Sequence, residues 1–166
     1  MKKHYKRVLT IAGSDPSGGA GIQADLKTFS ACGCYGMSAI VAVVDENTVG
    51  VTGVHPVPVD FVTGQIRSVL DDIGADAVKI GMLHSSELIR AVRETLAAYD
   101  IRNIVLDPVM VATSGDRLLQ EEAIATLQEE LAKKSWYRLC GSSLRISPKR
   151  RFCSDARSPD RRSCRR

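Results

Sequence analysis

An α/β fold built on a mostly parallel sheet follows from three features of this 166-residue chain. Short apolar runs occur at residues 8–12, 38–44, 77–80 and 103–106. They alternate with stretches of about 12 residues whose apolar positions recur at helical spacing. Glycine or polar residues punctuate the ends of most runs. Such alternation describes βαβ units, whose right-handed crossovers put helices on both faces of a sheet.

Each element has its own justification. Residues 8–12 (VLTIA) are wholly apolar apart from Thr10, which suits a central parallel strand. A loop with Gly13, Pro16, Gly18, Gly19 and Gly21 follows, and a helix is expected over 20–31. In that helix Ile22, Leu26 and Phe29 share a face, and Gly33 and Gly36 end it. Residues 38–44 (SAIVAVV) form the second strand, closing on Asp45-Glu46-Asn47. Polar groups at the C-terminal edge of an open sheet lie where ligands bind. Residues 48–57 are β-branched and broken by Gly50 and Gly53, which predicts a hairpin or a flap.

Pro58 fits the first turn of a second helix with the stripe Phe61, Val62, Ile66, Val69 and Leu70. Residues 77–80 form the third strand, closed by Gly81. Ser85 or Ser86 caps a third helix, whose first turn holds Glu87 and whose inward residues are Leu88, Ala91, Val92, Leu96 and Tyr99. Residues 103–106 form the fourth strand, ending at Asp107-Pro108, and a last helix over 120–133 packs Ile124, Leu127 and Leu131.

The glycine loop admits several chemistries. It serves a plain strand-to-helix connection, or a ligand approached by backbone and helix N-terminus. A phosphate-binding P-loop requires Lys-Ser or Lys-Thr after the glycines, and none follows. Gly19-Ala20-Gly21-Ile22-Gln23-Ala24 fits the dinucleotide pattern GxGxxA, with Asp45 and Glu46 at a suitable distance. Six residues separate the first strand from that pattern, where a dinucleotide-binding turn is tight.

Composition narrows the classes. No run of 18 apolar residues exists, so no membrane span is expected. The basic start MKKHYKR leads into a short apolar run without a cleavage site, so no signal peptide is expected and the cytoplasm is the expected compartment. Cys32 and Cys34 are one residue apart, a spacing unlike that of zinc or dithiol motifs, which favours free thiols. Residues 1–134 carry thirteen Lys and Arg against seventeen Asp and Glu, whereas residues 135–166 carry ten against two.

The blocks IAGSDPSGGAGIQADLKTF at 11–29, KIGML at 79–83 and VLDPVM at 105–110 resemble the hydroxymethylpyrimidine and phosphomethylpyrimidine kinases of thiamine biosynthesis. That family is ribokinase-like, as are the similar pyridoxal kinases. The resemblance covers roughly residues 7–134. It implies an ATP- and Mg2+-dependent phosphotransferase acting on 4-amino-5-hydroxymethyl-2-methylpyrimidine and its monophosphate, in a protein that often forms a homodimer. It implies backbone contact at Gly13, pyrimidine contact at Asp25 and apolar walls at Met82 and Val109. It places Asp107 in the phosphate and metal region. Glu46 stands where many members have Gln in a Gln-Asn-Thr triplet, and an ionised Glu accepts hydrogen bonds but donates none.

The segment in which the family carries its catalytic residue has no counterpart here, so no catalytic residue is assigned. The expected organisation is therefore an N-terminal ribokinase-like part over 1–134, truncated after the fourth strand and its helix, and an Arg-, Ser- and Cys-rich tail over 135–166. The tail reads as frame-shifted or disordered in preference to a nucleic-acid arm. An inactive kinase with low solubility is the expectation. A pyridoxal or pyridoxine kinase and a non-catalytic pyrimidine-binding remnant are the alternatives.

Overall fold

The computed structural model describes residues 4–99, 101, 103–107, 122 and 126, and the backbone of 145–146. Its centre is a parallel sheet of strands β1 (Arg7–Ala12), β2 (Tyr35–Ile40), β5 (Ala77–Ile80), β6 (Ile104–Leu106) and β7 (Arg145–Ile146), in the order β2-β1-β5-β6-β7. Between β2 and β5 the chain forms an antiparallel hairpin of β3 (Ala42–Glu46) and β4 (Val51–Pro56). The helices are α1 (Gly21–Ala31), α2 (Val59–Asp72) and α3 (Ser86–Ala97).

The expected βαβ alternation is present. Strand β1 is central, with β2 on one side and β5 on the other, and both pairings are parallel. Thr10 bonds Asp25 of α1, so the Thr10 side of β1 faces α1. Leu9 and Ile11 point to the opposite side by the two-residue period of a strand and are fully buried there. Apolar groups thus lie under cover on both faces of the sheet. Helix α2 packs on β2 and on α3. Gln65 of α2 donates to the Ile40 carbonyl and accepts from its N–H, both at 3.0 Å, closing off the end of β2.

Three local expectations change. The single strand predicted over 38–44 is two strands, β2 and β3, joined at Val41. Parallel pairing with β1 stops at Ile40, opposite Ala12, because β1 gives way to the glycine loop. The chain beyond turns to a new partner, β4, and the hairpin predicted over 48–57 is therefore β3 and β4 together. Asn47 shapes its turn, its side-chain oxygen accepting from the N–H groups of Val49 and Gly50.

The second change concerns Phe61, placed in the α2 stripe but 65% exposed. Thr63 is buried instead, beside Val62, Ile66 and Leu70. Hydrophobic spacing fixes a helical face only to within a residue at its margins, and here the packing is rotated away from Phe61. The third lies in the basic region, where no regular element is expected: Arg145 and Ile146 form β7 and extend the sheet beyond β6.

Other elements match closely. Ser85 caps α3, its Oγ accepting from the N–H of Leu88, and Pro58 immediately precedes α2. In α3, Leu88, Val92 and Leu96 are buried as expected, joined by Ile89 and Thr95. Leu26 and Phe29 of α1 sit over β2, where a Cβ on Gly36 would come within 2.9 Å of Leu26. Of the helix expected over 120–133, only Glu122 and Thr126 belong to the described residues, and both are helical. No helix among the described residues is long and apolar enough to cross a membrane.

Candidate functional site

The glycine loop takes its shape from Asp15, which is 3% exposed. Its carboxylate accepts from the backbone N–H groups of Ser17 (2.7 Å), Gly19 (3.0 Å) and Ala20 (2.6 Å). Burial pushes the Asp15 carboxyl up. Hydrogen bonds from the Ser17 side chain and from this backbone cradle outweigh that effect and hold it below the usual carboxylate range. The N–H groups of Gly19 and Ala20 that a pyrophosphate would need in the GxGxxA reading are thus already occupied by the chain's own carboxylate.

Further bonds fasten the loop. The N–H of Asp15 donates to Gln23, that of Ile22 to the Gly13 carbonyl, and that of Ser14 to the Ala42 carbonyl. The Ser14 hydroxyl accepts from the N–H of Val44, tying the loop to β3.

A small cavity of about 60 Å³ opens where β1 and β5 end. Gly13, Val44, Glu46, Lys79 and Met82 are among the residues lining it. Gly13 keeps the wall close to Met82: a Cβ would lie 3.0 Å from the Met82 methyl, which would have to shift, and 3.6 Å from the Ala42 carbonyl. Glu46 stands at the end of β3. Its carboxyl is pushed up by burial first, then by the negative charge of Asp15 and a hydrogen bond with it. Lys79 approaches from β5 as half of an ion pair with Asp25, 2.9 Å long, whose side chains are 20% and 17% exposed. The hydroxyl of Thr10 donates to the same Asp25 oxygen at 2.6 Å.

The structure therefore brings Gly13, Glu46 and Met82 together around one cavity. Asp25 is engaged by Thr10 and Lys79 and meets the cavity through Lys79 rather than by lining it. Asp107 follows β6, half-buried, with its N–H on the Ile80 carbonyl at 2.8 Å. No group of three or more His, Cys, Asp or Glu that could hold a metal occurs among the described residues. Asp107 belongs to no such group among the described residues. Val109 lies outside the described residues. Cys32 and Cys34 are free thiols.

Three residues of this site, Thr10, Asp15 and Lys79, escape the sequence reading. A signal existed for two of them. A lysine inside a buried four-residue strand requires an anionic partner. An Asp two residues before a Ser and just ahead of paired glycines is the pattern of a side chain bonding its own loop.

Residues 15–136 match the family described as phosphomethylpyrimidine kinase. A hydroxymethylpyrimidine/phosphomethylpyrimidine kinase of Escherichia coli (strain K12) is 57% identical over 123 residues, 74% of this chain and 46% of the relative. One from Bacillus subtilis (strain 168) is 48% identical over 130 residues, 78% of this chain and 48% of the relative. The chain thus spans about half the length of these curated relatives. The crystal structure of a phosphomethylpyrimidine kinase from Clostridium difficile 630 superposes with a TM-score of 0.72 and 43% identity, over 86% of this chain and 65% of that one. A pyridoxal kinase from Staphylococcus aureus in complex with pyridoxal gives a TM-score of 0.60 and 45% identity, over 66% of this chain and 41% of that one.

Proposed function

Because the chain belongs to the phosphomethylpyrimidine kinase family, we propose that its cavity binds 4-amino-5-hydroxymethyl-2-methylpyrimidine or the monophosphate as acceptor of a phosphoryl group from ATP. The observation that carries this reading is the meeting of Gly13, Glu46 and Met82 at the C-terminal ends of β1 and β5. Glu46 suits the exocyclic amine of the pyrimidine, whose N–H groups need an acceptor. Met82 offers a soft sulfur to the ring, and its flexible side chain can swing away from Gly13 to enlarge the cavity. The Lys79–Asp25 pair holds a fixed polar floor. A cytoplasmic location accompanies this reading.

Phosphoryl transfer asks a protein mainly for alignment and for donors aimed at the moving group. The described residues account for the acceptor end, and none is assigned catalysis. ATP and Mg2+ enter through the family alone.

The test is calorimetric titration of the chain with the hydroxymethylpyrimidine, beside an ATP-dependent phosphorylation assay. Binding at micromolar to submillimolar concentration, weakened at least tenfold by Met82→Ala, supports the reading. Absence of binding at millimolar pyrimidine overturns it. The likeness to pyridoxal kinases favours one second reading, a pyridoxal-type substrate in the same cavity. Stronger competition by pyridoxal than by the aminopyrimidine would establish it.

A further inference from the structure

We propose that Lys79 determines the specificity of this cavity: its ammonium donates to a ring nitrogen of the ligand while Glu46 accepts from the amine on the adjacent ring carbon. The pair then selects heteroaromatic rings with an amidine edge, a ring nitrogen beside an amine-bearing carbon. This inference rests on the function proposed above.

The placement of the Lys79 Nζ carries the argument. The register of β5 on β1 sets Lys79 beside Thr10, so both side chains leave the sheet on the face that carries α1. There the ammonium meets Oδ2 of Asp25 at 2.9 Å. The Thr10 hydroxyl donates to the same oxygen at 2.6 Å. Gly81 shows how close Nζ stands to the ligand space. A Cβ on Gly81 would come within 3.1 Å of Nζ, and Gly81 lines the cavity together with Lys79 and Glu46. Nζ therefore stands at the cavity wall with a carboxylate behind it.

An ammonium carries three donors, and Asp25 is the one partner of Lys79 among the described residues. The polar side chains lining the cavity are, among the described residues, Ser14, Glu46 and Lys79. The Ser14 hydroxyl is turned to the N–H of Val44 at 2.9 Å. Lys79 thus supplies a charged donor. Glu46 supplies an acceptor, since a carboxyl keeps a carbonyl oxygen in either protonation state.

A donor and an acceptor on the wall of one cavity of about 60 Å³ suit a ligand whose own acceptor and donor are neighbours. The aminopyrimidine has such an edge, a ring nitrogen next to the carbon that bears its amine. Pyridoxal has no ring nitrogen beside an amine, so the pair gives it no equivalent hold. Asp25 acts here as a positioning residue. It fixes Nζ before the ligand arrives, so the lysine loses little rotamer freedom on binding.

Calorimetry at pH 8.5, where both ligands are uncharged, compares 4-amino-5-hydroxymethyl-2-methylpyrimidine with 2-amino-4-methylbenzyl alcohol. The second is the isostere in which CH replaces both ring nitrogens. The wild-type chain is set against Asp25→Asn/Lys79→Met, which removes both charges and leaves no unpaired buried carboxylate. The wild-type preference for the pyrimidine is expected to exceed that of the double variant at least tenfold, the effect of one hydrogen bond to a charged group. A general loosening of the site would lower both affinities and leave the preference unchanged. Ionised Asp25, an acceptor only, has no bond of its own to a ring nitrogen to lose. The 15N shift of the Lys79 Nζ in the wild-type chain, assigned through its side-chain carbons, needs no variant. It is expected to move with the pyrimidine and to stay in place with the benzyl alcohol. Pyrimidine binding with equal preferences in the two proteins, or an Nζ shift that answers both ligands alike, overturns this proposal alone. Absence of pyrimidine binding by the wild-type chain overturns the function on which it rests, and this inference with it.

Discussion

Gly21 is the residue with least freedom in the glycine loop. Its φ is +56°, and a Cβ there would lie 2.5 Å from the Gly13 carbonyl oxygen, a backbone atom that cannot step aside. Gly33 also has a positive φ, +70°, but open space around it. Gly33→Ala should therefore cost only the left-handed penalty of about 1 kcal/mol, and Gly21→Ala about 3 kcal/mol or more, since the clash adds to it. Urea unfolding followed by far-UV circular dichroism separates the two, and equal costs would show that the loop relaxes freely. Asp15→Asn removes the charge from a cradle of three N–H groups and turns an NH2 toward one of them. A loss of about 2–4 kcal/mol is expected by the same measurement.

At the scale of elements, the orientation of α2 and the anchoring of α1 make separate predictions. Phe61 is exposed and Ile66 fully buried on the same helix. Phe61→Ser should change stability by less than about 0.5 kcal/mol, and Ile66→Ala should cost about 2–5 kcal/mol. A cost for Phe61→Ser comparable to that of Ile66→Ala would mean that Phe61 belongs to the packed face, as first read from its spacing. Helix α1 is held to the sheet by the Asp25–Lys79 pair. Lys79→Met leaves a largely buried carboxylate with only Thr10 as partner among the described residues and should cost about 3–5 kcal/mol. Adding Asp25→Asn should recover part of that loss, which a thermal melt of the double variant reads directly.

For the whole molecule, pH is the instructive variable because Asp15, Glu46 and His84 pull in different directions. Burial pushes the His84 imidazole down, and its Nδ1 is buried without a hydrogen-bond partner among the described residues. The fold prefers His84 uncharged, so the unfolded chain takes up the proton first, near pH 6.5, and stability falls as pH drops below that value. His84→Asn should flatten this loss between pH 6.5 and 5. Asp15 has the depressed midpoint of a stabilised anion, so its contribution is present above the unfolded carboxylate value and is lost as pH falls through the folded one. Glu46 has the opposite sign: its raised midpoint makes stability decline as pH rises through it. In Glu46→Gln the decline that accompanies ionisation of Glu46 should be absent from the melting-temperature profile, which is the check on the Glu46 part.

The chain itself determined its elements and their class. Residues 77–80 form a strand as their spacing predicts, Ser85 caps α3, and the parallel α/β architecture follows, because periodicity and punctuation are local properties that survive packing. Gly13, Glu46 and Met82 were legible through motif and placement at strand ends. What only the tertiary structure decided is which side chains meet. Thr10, Asp25 and Lys79 come from β1, α1 and β5, and Asp25 and Lys79 are separated by 54 positions. Their contact exists only because β5 lies beside β1 in a register that sets Thr10 opposite Lys79. The same holds for Asp15 and Glu46. Each reads alone as an ordinary carboxylate, and the hairpin that splits off after Ile40 brings Glu46 to where burial and the Asp15 charge push its carboxyl up.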